Sequence, residues 1–149
     1  MSARIEVIGL KEFVRELRVA NAQLPNELRR GLNAIGKEIL VPEVKKRVRA
    51  SIKDPSRSRG SLLKSVTSKA DRTSASVKEG TPSRVPYAGW WEFGGPTARS
   101  SRPPNREFVP KGRAMYPALV AKRDEIQKEA DDLIDRMTRL LRAGTITGF

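Results

Sequence analysis

The stretch PALVAKRDEIQKEADDLIDRMTRLLRAG, Pro117 to Gly144, decides how the rest of the chain is read. Leu119, Ile126, Leu133 and Leu140 recur every seven residues, with Ala130 and Met137 between them. That spacing lines apolar side chains along one stripe of a helix. Asp124 and Lys128, Asp132 and Arg136, and Asp135 and Arg139 are acid-before-base pairs four residues apart, which suits a solvated helical face. Pro117 is expected to open or kink this helix and Gly144 to close it. The stripe reads either as a face packed on the chain's own core or as the seam of an intersubunit coiled coil.

Upstream, RIEVIGL (Arg4 to Leu10) is short and rich in branched residues, which suits an opening strand. Leu10, Phe13, Val14 and Leu17 follow at helical spacing, predicting a helix that ends near Asn21. Pro25 fits the first turn of a second helix, where its missing N–H costs nothing. Leu28, Leu32, Ile35 and Ile39 carry that helix on, and Val44, Val48 and Ile52 extend its apolar line in four-residue steps. Pro42 interrupts the line: it removes a backbone bond and crowds the carbonyl of Glu38, so a kink or break is expected near Val41. LLKSVTSKA (Leu62 to Ala70) and SASVKEG (Ser74 to Gly80) alternate around Asp71 to Ser74 and predict a β-hairpin. DPSRSRG (Asp54 to Gly60) and GGPTARSSRPPN (Gly94 to Asn105) have the turn-forming residues of loops. The expectation is an α+β fold: long helices packed on a small antiparallel sheet, with a long C-terminal helix. One domain spans residues 1–149, with extended loops at about 53–61 and 94–106.

The chain holds 149 residues without a single Cys, so neither disulfides nor thiolate metal sites can hold it together. No apolar run reaches the roughly 18 residues that would span a bilayer, and MSARIEVIGL lacks the apolar centre of a signal peptide, so no membrane contact is expected. His is absent too, which removes the commonest general base along with the strongest nucleophile and the usual zinc ligands. The expectation is a protein that is not an enzyme, with no catalytic residues, no cofactor and no metal. GLNAIGK (Gly31 to Lys37) has the spacing of a phosphate-binding loop, but Glu38 stands where Ser or Thr should hold magnesium and no strand precedes it. Two small residues easing helix packing is the better reading. Asp131, Asp132 and Asp135 could suggest a carboxylate metal site, yet they surround a helix already balanced by arginines, so a solvated face is expected.

The net charge of +13 is concentrated: residues 44–72 carry ten basic side chains against two acidic ones. Lys45, Lys46, Arg47, Arg49, Lys53, Arg57, Arg59 and Lys64 form the candidate patch for an acidic partner, either a protein surface or DNA phosphates. The region has no aromatic side chain, so a stacking platform for single strands is missing. Non-specific DNA binding by a stand-alone protein is the alternative function this patch supports.

Aromatic residues are scarce, yet VPYAGWWEFGG (Val85 to Gly95) holds four of the eight. As a strand it would put Tyr87, Trp91 and Phe93 on one face; as a helical turn it would cluster Tyr87, Trp90 and Trp91. Trp91 and Phe93 are expected in the core, and Trp90 is the candidate intersubunit anchor.

The order of SRGSLLKSV (Ser58 to Val66), PYAGWWEFGG (Pro86 to Gly95), a Pro-rich loop and REFVPKGRAMYPAL (Arg106 to Leu119) before a C-terminal helix resembles the tail-completion or neck proteins, also described as minor tail components, of long-tailed bacteriophages. Tyr87, Ala88, Glu92, Phe93 and Gly94 match that pattern in place, and Phe108 and Pro110 match more loosely. Gly95 departs from it where Thr is frequent, and Asn105 to Glu107 separate the prolines from Phe108. The resemblance covers about residues 56–119. It implies a structural virion protein at the head–tail junction or the top of the tail, assembled in the host cytoplasm. It further implies a homo-oligomeric ring contacting other neck, connector and tail proteins, with non-specific contact to genomic DNA as a further role for the basic patch. On this resemblance Trp90 and Glu92 are the motif residues to test against a neighbouring subunit.

Overall fold

Long helices pack on one face of a small antiparallel sheet in the computed structural model, which describes residues 2–6, 8–50, 60–80, 85, 88–94 and 108–146. This is the α+β architecture the sequence predicts. Both expected loops fall largely outside the described residues, as do Ile52 and the DPSRSRG segment up to Arg59.

Strand β1 (Ser2–Glu6) opens the chain, a little earlier than the branched run suggests. Gly9 then takes the left-handed φ of 81° and helix α1 (Leu10–Ala20) begins, burying Leu10, Val14 and Leu17. A left-handed residue costs a side chain about 1–2 kcal/mol, which glycine avoids. Helix α2 (Leu24–Ile35) follows with Pro25 in its first turn, as expected.

Pro42 acts on the chain before it is reached. Residues Gly36–Leu40 form a π-helical turn, and Val41 N–H bonds the carbonyl of Gly36, five residues back. Helix α3 (Val41–Ala50) then continues with Pro42 in its first turn. Widening the turn removes the clash a proline imposes on a normal helix. It also rotates the apolar line by one residue: Leu40 is fully buried, whereas Ile39, on the line predicted from four-residue steps, is only partly so. Val44 and Val48 resume the line on the new face.

The hairpin is shorter than the alternation suggests. Gly60–Ser65 is a helix, α4, and only Thr67–Ala70 (β2) and Ser74–Lys78 (β3) are strands. Leu62 and Val66 are buried while Lys64 between them is exposed, which fits a helical turn and not a strand, where 62, 64 and 66 would share one face. Asp71 fixes the β2–β3 turn by accepting the backbone N–H groups of Thr73 at 2.8 Å and Ser74 at 2.7 Å. These bonds, first of all that from Thr73, hold its carboxyl below the usual range. The sheet order is β1-β3-β2, with Ala3 opposite Val77 opposite Ser68, and Ile5 opposite Ala75 opposite Ala70. That row faces the helices, while Arg4, Ser76 and Lys69 form a row on the other face.

Helix α2 lies between this sheet and the long C-terminal helix, and Gly31 on α2 and Gly36 in the π turn set the two distances. A Cβ on Gly31 would run into Leu133, and one on Gly36 into Ser68. The glycines of the loop-like spacing are thus packing glycines, in a helix and a π turn rather than a phosphate cradle. Helix α6 (Met115–Ala121) breaks at Lys122, and α7 (Arg123–Ile146) runs 24 residues, about 36 Å. Pro117 stands in the first turn of α6. Ile126, Ala130, Leu133 and Met137 are buried, and α7 packs on α1 and α2, so the stripe is a core face. Leu140, the last residue of the heptad series, is 43% exposed. Gly144 does not close the helix, which runs on to Ile146; glycine adopts helical angles as readily as left-handed ones. The three acid–base pairs do not close either. Contacts formed here include Lys122 Nζ to Glu125 at 2.6 Å and Gln127 Nε2 to Asp131 at 3.1 Å.

Candidate functional site

Among its described residues the aromatic stretch forms one short helix, α5 (Ala88–Phe93), and several side chains in it have a structural task. Trp91 is 2% exposed and packs in the core. Phe93 and Trp90 are half-buried, so Phe93 is less interior than expected. Tyr87 lies outside the described residues. Ala88 sits against Gly80, whose φ of 77° and missing Cβ leave room for the alanine methyl. Gly94 ends the helix at φ 78°, its N–H bonding the Trp90 carbonyl at 2.7 Å. Val109 N–H then bonds the Phe93 carbonyl at 2.7 Å and ties the returning chain to α5. Phe108, 63% exposed, and Pro110, also exposed, do not join the core.

Glu92 is fully buried. Its Oε1 accepts the backbone N–H groups of Ala114 at 3.0 Å and Met115 at 2.9 Å, which are the unpaired donors at the start of α6. A carboxylate from another helix thereby caps α6, and the partial positive charge at a helix start favours it. Gly112, at φ 73°, lies so close to Glu92 that any Cβ would collide with the carboxyl. The Arg113 guanidinium donates to the backbone carbonyls of Trp91 at 3.2 Å and Glu92 at 3.1 Å. As a site residue Glu92 therefore faces its own chain, not a neighbouring subunit.

A second acid shares this interior. Glu79, just beyond β3, is fully buried beside Glu92, and its carboxyl is pushed up to about 8. Burial is the largest cause; the charge of Glu92 and a hydrogen bond with it add to the effect. Glu79 thus keeps its proton near neutral pH, and two carboxyls can share one pocket. Sequence reasoning passed over Glu79, although its signal is present: it continues the inward period of Ala75 and Val77.

The basic stretch turns outward. Lys46, Arg49, Lys64, Lys69 and Arg72 are exposed, and Lys45 is half-buried. Glu43, one residue before the counted stretch, takes part of its charge: Arg47 Nε donates to it at 2.9 Å, and Lys46 Nζ lies 3.9 Å away. Lys53, Arg57 and Arg59 lie outside the described residues. A groove of about 740 Å³ runs along the seam where α2 meets α7, lined by Ile35, Leu133 and Met137. Its rim mixes Glu27, Glu38, Glu125 and Glu129 with Arg30 and Arg136, a pattern that selects no single ligand charge. Among the described residues no helix is long and apolar enough to cross a membrane.

In comparisons with known proteins, the chain matches no protein-family model, no curated protein and no solved structure.

Proposed function

We propose that this chain is a non-enzymatic structural component of a long-tailed bacteriophage particle, acting at the head–tail junction as an oligomeric ring that joins tail to head. The observation that carries the reading is the ordered match of Tyr87, Ala88, Glu92, Phe93 and Gly94, followed more loosely by Phe108 and Pro110. Its physical support is that Ala88, Glu92 and Gly94 are each demanded by their surroundings: a close approach, a helix cap and a left-handed turn. A pattern of residues needed to build one joint is what a shared fold would retain. In this setting the exposed Lys46, Arg49, Lys64, Lys69 and Arg72 face an adjacent ring or the passing genome. The test is electron microscopy of particles made without this protein. Unjoined heads and tails are expected; normal joined particles would overturn the reading.

The exposed cations also favour a second reading, a stand-alone non-specific DNA-binding protein. Six or more phosphate contacts would weaken duplex binding by orders of magnitude between about 50 and 200 mM salt. Failure to bind duplex DNA at the lower salt removes this reading.

A further inference from the structure

We propose that the free edge of β1 pairs in parallel with the free edge of β2 in a second copy of this chain, so that copies join head to tail through a continued sheet. The proposal rests on the ring reading and names its contact.

Because β3 is the central strand, β1 and β2 are both outer strands, and both run antiparallel to β3. They therefore run parallel to each other, and two copies in the same orientation present β1 to β2 with matching direction. Among the described residues no strand covers either outer edge. An open edge is a template for another strand.

The β1 edge also gathers exposed apolar side chains, set among Arg4, Glu6, Arg123 and Gln127. Ile5, Tyr116, Leu119, Val120 and Ile126 line a groove of about 340 Å³ along it, and Ile8 and Ile134 line a further recess of about 290 Å³. Ile8 is 99% exposed, Val120 57% and Tyr116 52%. Apolar surface gathered beside an unpaired strand favours burial by a partner.

Charge selects the occupant and its register. Only an even shift keeps the row of Ala3 and Ile5 on the helix-facing side together with Ser68 and Ala70. With no shift, Arg4 would lie beside Lys69 of the second copy, a repulsive pair. A shift of two places Glu6 beside Lys69 and Arg4 beside Thr67. It also brings the Arg72 end of the β2 turn towards Asp131, which lines the recess next to Glu6 and Ile8. Antiparallel pairing of β1 with β1 would instead stop at a dimer and leave each β2 edge open.

The chain has no Cys, so introduced pairs report without background. Glu6 and Lys69 are exposed, and replacing them leaves the core intact. The oxidised Glu6→Cys/Lys69→Cys double variant is expected to give covalent multimers longer than a dimer on a denaturing gel, and each single variant none. Val120→Glu is expected to weaken self-association at least tenfold by sedimentation with its thermal midpoint unchanged. Covalent products that stop at the dimer overturn head-to-tail pairing. An oligomer by sedimentation without any 6-to-69 cross-link overturns the edge contact and leaves the ring reading standing. A chain that is monomeric at every concentration, with no cross-link, overturns both.

Discussion

Around α5 the molecule turns its charge inwards, and along α3, α4 and β2 it turns it out. Glu79 and Glu92 are fully buried, one protonated and the other spent on the α6 backbone, whereas Lys46, Arg49, Lys64 and Lys69 stand in solvent. The difference separates two kinds of site. A buried acid whose partners are backbone groups holds a joint together, and its replacement shows in stability. An exposed cation contributes little to folding and acts through what it meets.

This contrast can be broken from its strong side first. Trp91→Ala removes the largest fully buried side chain and is expected to cost about 3–5 kcal/mol, read as a lowered denaturation midpoint. A cost under about 1 kcal/mol would mean that α5 is not seated in the core. Glu92→Ala should come next, at about 1–3 kcal/mol, because it strands the Ala114 and Met115 N–H groups in the interior. Glu92→Gln retains an accepting oxygen and is expected to lose less than the alanine variant. Equal losses in the two would show that the cap is not what Glu92 provides. On the weak side, Lys46→Ala and Arg49→Ala are expected to stay within about 0.5 kcal/mol of the parent in denaturant titrations. Any effect they have should appear in partner binding and shrink with added salt.

Much of this arrangement was legible in the chain's periodicities. The stripe through Ile126 and Leu133 identified the core face of α7, and Pro42 located the irregular turn. What the pattern could not convey was how the backbone absorbs a proline. The π turn shifts burial from Ile39 to Leu40, and no fixed period anticipates an inserted residue. Leu62 to Ser65 read as strand because short apolar runs fit both periods; the contact of Ser65 with Gly80 N–H at 2.9 Å, a tertiary bond, fits the helical turn. Glu92 stood out within the aromatic stretch, but its partners at 114 and 115 lie more than twenty residues away. Only the folded chain brings them together. Glu79 was readable from the inward alternation of β3 and was missed because an acid at a strand end is ordinarily solvated.

The most direct test of the inward carboxyl joint is the pH dependence of stability, compared between the parent chain and Glu79→Gln. The folded state holds the Glu79 proton up to about pH 8, whereas an unfolded carboxyl releases it near 4.5. The folded form therefore binds more protons across that window, and this group's contribution is fully present below about 4.5 and lost as the pH rises through about 8. Parent stability is expected to fall between those limits, and Glu79→Gln, which cannot ionise there, to flatten the fall. Parallel profiles for the two proteins across the window would contradict that expectation.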